Sequence, residues 1–278
     1  MLGRYVLKEL KNTHKVFHNG IKKRKYSLLN ISNLRKLLVQ SNPEVVINAL
    51  GYTNIDFCEK DKKKSKLINV NIVKNIFKLK KELKQKFKFI QISTDHIYDS
   101  KNNKKSKETA KPIINNEYAK QKFSAEKICK KNKSIILRTN FFGKSMIKKQ
   151  SFSDWAIKSF RRKKSFFLVD DVFFSPLRMK TISEIISKLL KKKYLKNYGI
   201  YNLGSKDGIS KKSLALKFAS ILSVKNKLFE TKKINEICDI KRSKNMKMDV
   251  SKFEKAFSIA LPTVQKEIKN EIINYEKN

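Results

Sequence analysis

Three short, unbroken apolar runs constrain this chain more than anything else in it. EVVINAL (44–50), FKFIQIS (87–93) and SIILRT (134–139) are too short for core helices and too continuous for half-solvated strands. Such runs read as strands buried on both faces, which is the mark of a parallel sheet. The segments between them are long enough for helical crossovers. Residues 61–83 place Leu67, Ile68, Val70, Ile72, Val73, Ile76, Phe77 and Leu79 at helical spacing, and residues 116–131 carry another helix. Residues 99–115 are polar and read as a loop. The alternation predicts an α/β fold, a parallel sheet with helices on both faces. Past about residue 145 the pattern changes. Helices are expected near 152–162, 181–192, 210–222 and 262–273, with short strands at FFLV (166–169) and GIYNLG (199–204). We therefore expect a first domain over 1–145 and a smaller α/β lobe over 146–278, partly interleaved with it.

With 278 residues, 40% of them hydrophobic, the chain can bury a sizeable core, and 7 Gly and 4 Pro leave few linkers. No internal repeat is visible. No apolar run approaches the ~18 residues that span a bilayer, and the start lacks a signal-peptide stretch, so no membrane partner is expected. Cys58, Cys129 and Cys238 have no metal-ligand spacing and fit free thiols in a reducing cytoplasm. His14, His18 and His96 are too dispersed to suggest a metal site, and none is expected. The formal charge of +42 raises the question of nucleic acid. Only eight of the 66 basic residues are Arg, the better group for bidentate phosphate and base contacts, and the Lys is spread over every segment. Lys, Asn, Ile and Phe all have A/T-rich codons. We read the charge as solvated faces and expect no specific nucleic-acid partner, only salt-sensitive adhesion to polyanions.

Within NEYAKQKFSAEK (116–127), Tyr118 and Lys122 lie one helical turn apart. Among 9 Tyr and so many Lys that spacing is expected by chance, so context must decide. QISTDHIYD (91–99) supplies it, ending a buried strand in Ser93, Thr94 and Asp95. Ligands of open α/β sheets bind beyond the carboxyl ends of the strands. Tyr118 would give a proton to a carbonyl oxygen. Its ordinary pKa of ~10 is high for that task, and a nearby Lys122 ammonium is expected to lower it. Thr94 would hydrogen-bond the same oxygen and hold the carbonyl for hydride attack.

At this point the chain resembles the dTDP-4-dehydrorhamnose reductase family of extended short-chain dehydrogenase/reductases. VVINALGYTNIDFCEKD (45–61) with INVN (68–71) is similar to the family's N-A-x-x-Y-T-x-V-D-x-x-E block and following V-N. ISTDHIYD is similar to S-T-D-Y-V-F-D, and LRTNFFG (137–143) resembles R-T-x-x-x-G. VDDVFFSP (169–176), GIYNLGS (199–205) and KNMKMDVSKFEK (244–255) resemble successive parts of the family's substrate lobe. The resemblance implies a Rossmann-like domain over 1–145 that binds NADPH or NADH. It also implies hydride transfer to the C4 ketone of a nucleotide-linked 4-keto-6-deoxy sugar, in the making of surface polysaccharide. On the matching positions Thr94, Tyr118 and Lys122 would be catalytic. Gly3, Asn48, Ala49 and Tyr52, with Lys122, would line the cofactor. Asp95 and His96 would sit by the sugar. The family analogy also admits a homodimer.

The pattern departs from the family at the start. Gly3 matches the last glycine of a G-x-x-G-x-x-G turn, and the preceding strand and two glycines are not in the sequence. Either the protein begins upstream of this Met, which is our expectation, or this copy is eroded. His96 stands where the family often has Tyr. Lys22, Lys23, Arg24 and Lys25 follow an apparent second strand, where a basic group selects the NADP 2′-phosphate or is simply a solvated charge run. Asp170 and Asp171 are expected to be structural, Phe141 and Phe142 to be core, and Phe152, Trp155 and Ile157 to form a helix face between the two lobes. A non-catalytic NADP-binding regulatory protein on the same fold is the alternative reading.

Overall fold

The computed structural model describes residues 1–18, 27–101, 104–162, 164–223 and 228–276. The basic run at 22–25 lies outside the described residues. Along the chain come α1 (Leu2–Leu10), α2 (Ile31–Ser41), β1 (Val45–Asn48), α3 (Ile55–Lys60) and α4 (Lys62–Lys66). A wide π-helical turn at Leu67–Asn71 leads into α5 (Ile72–Glu82), β2 (Lys88–Ile92), α6 (Glu117–Lys131), β3 (Ile135–Thr139) and β4 (Phe141–Phe142). Then follow α7 (Phe152–Arg161), β5 (Phe166–Val169), β6 (Phe173–Phe174), β7 (Leu177–Arg178), α8 (Met179–Leu189) and β8 (Gly199–Leu203). The last elements are β9 (Ile209–Ser210), α9 (Lys211–Ile221), β10 (Phe229–Lys232), α10 (Ile234–Ile237), β11 (Asn245–Met246), α11 (Ser251–Phe257) and α12 (Val264–Glu276).

The three apolar runs become β1, β2 and β3, which pair in parallel with β8 in the order β1-β2-β3-β8. Side chains alternate across this sheet as the two-residue period requires. Ile90, Ile92, Ile135 and Leu137 pack with Leu2, Ile182 and Phe253 of α1, α8 and α11. Phe89 and Ile136 pack on the other face with Leu34, Ile76 and Ala125 of α2, α5 and α6. Each such side chain contributes about 1.5–3 kcal/mol when fully buried.

The single helix expected over 61–83 is divided by the π turn. Such widened turns interrupt the regular ladder and recur at functional sites. Here the turn carries Asn69, 2% exposed, whose side chain accepts from Tyr52 N at 2.7 Å and donates to Tyr52 O at 3.1 Å. Asn69 thereby clamps the loop that follows β1.

Three smaller sheets complete the molecule: β5 with β10, β6 between β11 and β9, and β4 with β7. A second core of Phe142, Phe174, Phe218 and Ile268 lies among them. The change of pattern near residue 145 is not a clean cut, because β8 returns to the central sheet and α8 packs on α1. Phe152 and Trp155 do not bridge to the central sheet as expected. They pack with Phe160, Phe166 and Phe229, inside the later part of the chain, because α7 lies against α9 and β5 rather than the strand ends. Asp170 pairs with Lys233 at 2.9 Å, and Asp171 accepts from Ile234 N at 2.8 Å, so both tie loops together.

One buried polar network fixes α6 against the sheet. Arg138 on β3 donates to both oxygens of Glu126 on α6, at 3.0 Å through Nε and 2.7 Å through Nη2, and the two side chains are 2% and 1% exposed. Glu126 also accepts from Ser93 at 2.5 Å, and Arg138 donates to Tyr98 Oη at 2.6 Å. Tyr98 in turn donates to Asn202 of β8 at 2.8 Å. A paired and fully hydrogen-bonded set of this kind is costly to break from one side only.

Candidate active site

The chemistry-bearing residues gather at the carboxyl ends of β1, β2 and β3. β2 delivers Ser93, Thr94 and Asp95, all buried. Helix α6 starts here because Asn116 caps it, accepting from Ala119 N at 3.0 Å. The cap sets Tyr118 in the first turn and Lys122 one turn on, and the Arg138–Glu126 network holds that register against the strands.

Tyr118 is 7% exposed in a pocket with Ile55, Cys58 and Tyr52, and the His96 ring meets it edge-on at 5.6 Å. Thr94 is its hydrogen-bond partner. Burial pushes the Tyr118 phenol well above its ordinary value, the Thr94 hydrogen bond opposes this, and Asp95 and Cys58 add to the rise. The expected lowering by Lys122 is absent. The reason is geometric: Lys122 spends its proton on the Ile92 carbonyl at 2.6 Å, the nearest acceptor for an ammonium only 4% exposed. Burial lowers Lys122 to about 8, against the pull of Glu126 and Cys129.

Asp95 receives both hydrogen bonds of the Asn140 amide, at 3.1 and 2.9 Å, and a longer one from Thr94 at 3.4 Å. Burial still raises it to about 7, with Asn140, its own backbone, Lys211 and Thr94 all acting to lower it. His96 donates its backbone N–H to Thr94 Oγ1 at 3.2 Å, and its Nδ1 is buried with no hydrogen-bond partner. Burial, then Lys211 and Arg242, lower His96 to about 3, so the ring is neutral at working pH.

The other residues expected to line a cofactor divide. Asn48 spends both its polar atoms within the fold, donating to Gln91 Oε1 at 2.9 Å and accepting from Leu50 N at 3.1 Å, so it shapes the loop and offers no amide to the cleft. Tyr52 stacks on Phe57 with ring centroids 4.1 Å apart, beside Tyr118. Ala49 and Gly3 face each other: a Cβ on Gly3 would meet Ala49 Cβ at 3.7 Å. Gly51 lies against Lys122, whose Nζ would be 3.9 Å from a Cβ there.

These residues fit a dinucleotide. The first turn of α1 has no side-chain cap, and Arg4 lies in that turn. Its backbone N–H groups and Arg4 favour phosphate. Across the strand ends, Lys149 donates to Thr53 at 3.4 Å. The small residues Ala49 and Gly51 leave room between this basic edge and Lys122. No His/Cys/Asp/Glu cluster able to hold a metal occurs among the described residues, and no described helix is long and apolar enough to cross a membrane.

A parallel sheet flanked by helices, with a threonine, a tyrosine and a lysine assembled at its carboxyl edge, defines a Rossmann-like protein of the extended short-chain dehydrogenase/reductase class. The sequence model of the RmlD substrate binding domain matches residues 1–277, and the chain belongs to that family. It is 24% identical over 265 residues to a dTDP-4-dehydrorhamnose reductase of Aggregatibacter actinomycetemcomitans, covering 88% of this chain and 87% of that one. A Clostridium acetobutylicum dTDP-4-dehydrorhamnose reductase superposes with a TM-score of 0.87 at 21% identity, covering 99% of this chain and 96% of that chain. The Bacillus anthracis enzyme, solved with NADP, also gives 0.87 at 21% identity, over 98% and 95%.

Asn140, Asn69, Lys211 and Arg242 went unremarked in the sequence. Asn140 ends β3 as Thr94 ends β2, so the strand-end rule could have found it. Lys211 and Arg242 carry no local signal in a chain this basic.

Proposed function

We propose that this protein is an NADPH-dependent reductase that converts the C4 ketone of a nucleotide-linked 4-keto-6-deoxy sugar to an alcohol. The observation that carries this is the hydrogen-bonded pair of Thr94 and Tyr118, buried beside Lys122 where β1 and β2 end, in a chain of this family. The cofactor, when bound, supplies the hydride. Tyr118 gives its phenolic proton to the developing alkoxide, and Thr94 orients the same oxygen. Because burial holds Tyr118 protonated, the phenol is charged with its proton before the reaction begins. Lys122 supports the site through the Ile92 carbonyl and offers its remaining N–H groups beside Gly51. Asp95 and His96 lie next to Thr94, on the side from which the sugar would approach. The smaller sheets of residues 146–278 are read as the substrate lobe, closing over the edge of a 1–145 cofactor domain. We place the protein in the cytoplasm, in the supply of deoxysugar for surface polysaccharide.

The test is NADPH oxidation, followed by its absorbance, with dTDP-4-keto-6-deoxy sugars as acceptors. We expect turnover by the wild type and a fall in kcat of about 10³-fold in Tyr118→Phe, with NADPH affinity kept. No turnover with any 4-keto sugar nucleotide, from protein that binds NADPH, would reject the reading.

A further inference from the structure

Lys211 is the first residue of α9, and its ammonium is drawn deep into the protein without a hydrogen bond or ion pair among the described residues. Burial lowers its pKa first, the Arg242 guanidinium lowers it further, and Asp95 and Cys238 pull the other way. Arg242 stands only partly paired. Its Nη2 reaches Asp56 at 2.7 and 3.0 Å, while its Nε is buried with no partner. Two cations that depress each other are costly unless an anion joins them. The carboxylate at hand does not serve, because Asp95 is engaged by Asn140 and held towards its neutral form.

Arg242 also opens onto a cleft of about 350 Å³, shared with Cys238, Lys241, Lys244, Asp99 and Asp239. The Asp99 charge is already used by Lys244 N at 2.8 Å, Asn245 N at 3.1 Å and the Asn115 amide at 2.9 Å. Lys244 is paired with Asp171 at 2.8 Å. What the region lacks is an anion at Lys211 and Arg242, next to His96 with its unpartnered Nδ1.

We propose that Lys211 and Arg242 form an anion site that takes the diphosphate of a nucleoside-diphosphate sugar, with the nucleoside in the cleft beyond Arg242. This rests on the reductase reading for its direction. A ketone held at Thr94 and Tyr118 puts the anomeric carbon, and the diphosphate on it, across the ring, past Asp95 and His96. A diphosphate brings two charges and several acceptor oxygens, which match an ammonium, the free Nε–H of Arg242 and a helix start.

The experiment is calorimetric titration of the full chain with dTDP, UDP, thymidine and inorganic pyrophosphate, on wild type, Lys211→Gln and Lys211→Arg. NADPH binding is measured on each as a check of folding, and NADPH oxidation is read separately. We expect dTDP or UDP to bind the wild type, to weaken about 10- to 100-fold in Lys211→Gln, and to recover to within a few-fold in Lys211→Arg. Thymidine should bind far more weakly, and pyrophosphate should compete, showing that the diphosphate is what is held. Undiminished dTDP and UDP binding in a Lys211→Gln protein that still binds NADPH would overturn the proposal. So would a wild type that binds neither nucleotide, or that binds thymidine as well as dTDP. If diphosphate binding depends on Lys211 while no 4-keto sugar is reduced, the site stands and the reductase reading falls.

Discussion

Lys122 and Lys211 both carry an ammonium into the interior, one at the carboxyl end of the central sheet and the other at the start of α9. Lys122 has an acceptor at 2.6 Å, and its neighbour Glu126 is saturated by Arg138 and Ser93. Lys211 has no acceptor, and its neighbour Arg242 is itself half-paired. The first region is complete in the free protein and holds its geometry in advance. The second is complete only with a ligand. The difference teaches that preorganisation and recognition are divided here: chemistry is set on paired strands and a capped helix, and binding is left to elements of the smaller sheets.

The sharpest way to break the comparison is to undo the pairing on the complete side. Arg138→Met leaves Glu126 buried without its partner, and we expect a loss of about 3–5 kcal/mol in urea unfolding. A loss below ~1 kcal/mol would mean that the strand-end network is not what anchors α6. Next in size is the contrast between the lysines themselves. Lys122→Met should lower kcat about 10²-fold, and the wild-type rate should fall as pH rises through about 8, where Lys122 gives up its proton. Lys211→Met should instead raise the sugar-nucleotide KM about tenfold with kcat within a few-fold. Equal effects on both parameters at both lysines would erase the distinction.

The smallest effect sharpens the incomplete side. His96 is held to about 3 in the fold, against 6.5 when free, so only the unfolded chain takes up its proton between those values. Its neutral form therefore supports the fold fully above pH 6.5, and that support is lost as pH falls towards 3. His96→Tyr should flatten the acid side of a pH–stability curve by about 1 kcal/mol per pH unit, read by chemical denaturation at stepped pH. An unchanged curve would place His96 in a more solvated setting.

Much of this was legible before any coordinates. Both-face apolar runs dictated β1, β2 and β3 as parallel strands, because an interior strand has no polar face to show. The strand-end position of Thr94, and of Tyr118 and Lys122 on one helix face, followed from the same local rules. Each depends only on residues near it in the chain. What only the tertiary structure decided are the matters of long-range pairing. That Lys122 turns to the Ile92 carbonyl rather than to the Tyr118 phenol depends on where β2 ends relative to α6. That Asn48 is consumed by Gln91 depends on the register of β1 against β2. That Lys211 and Arg242, 31 positions apart, face the same buried acid depends on how β9, α9 and the approach to β11 fold back together. A charge in the sequence shows its sign; only the packed chain sets its depth and its partners, and these decide what it can do.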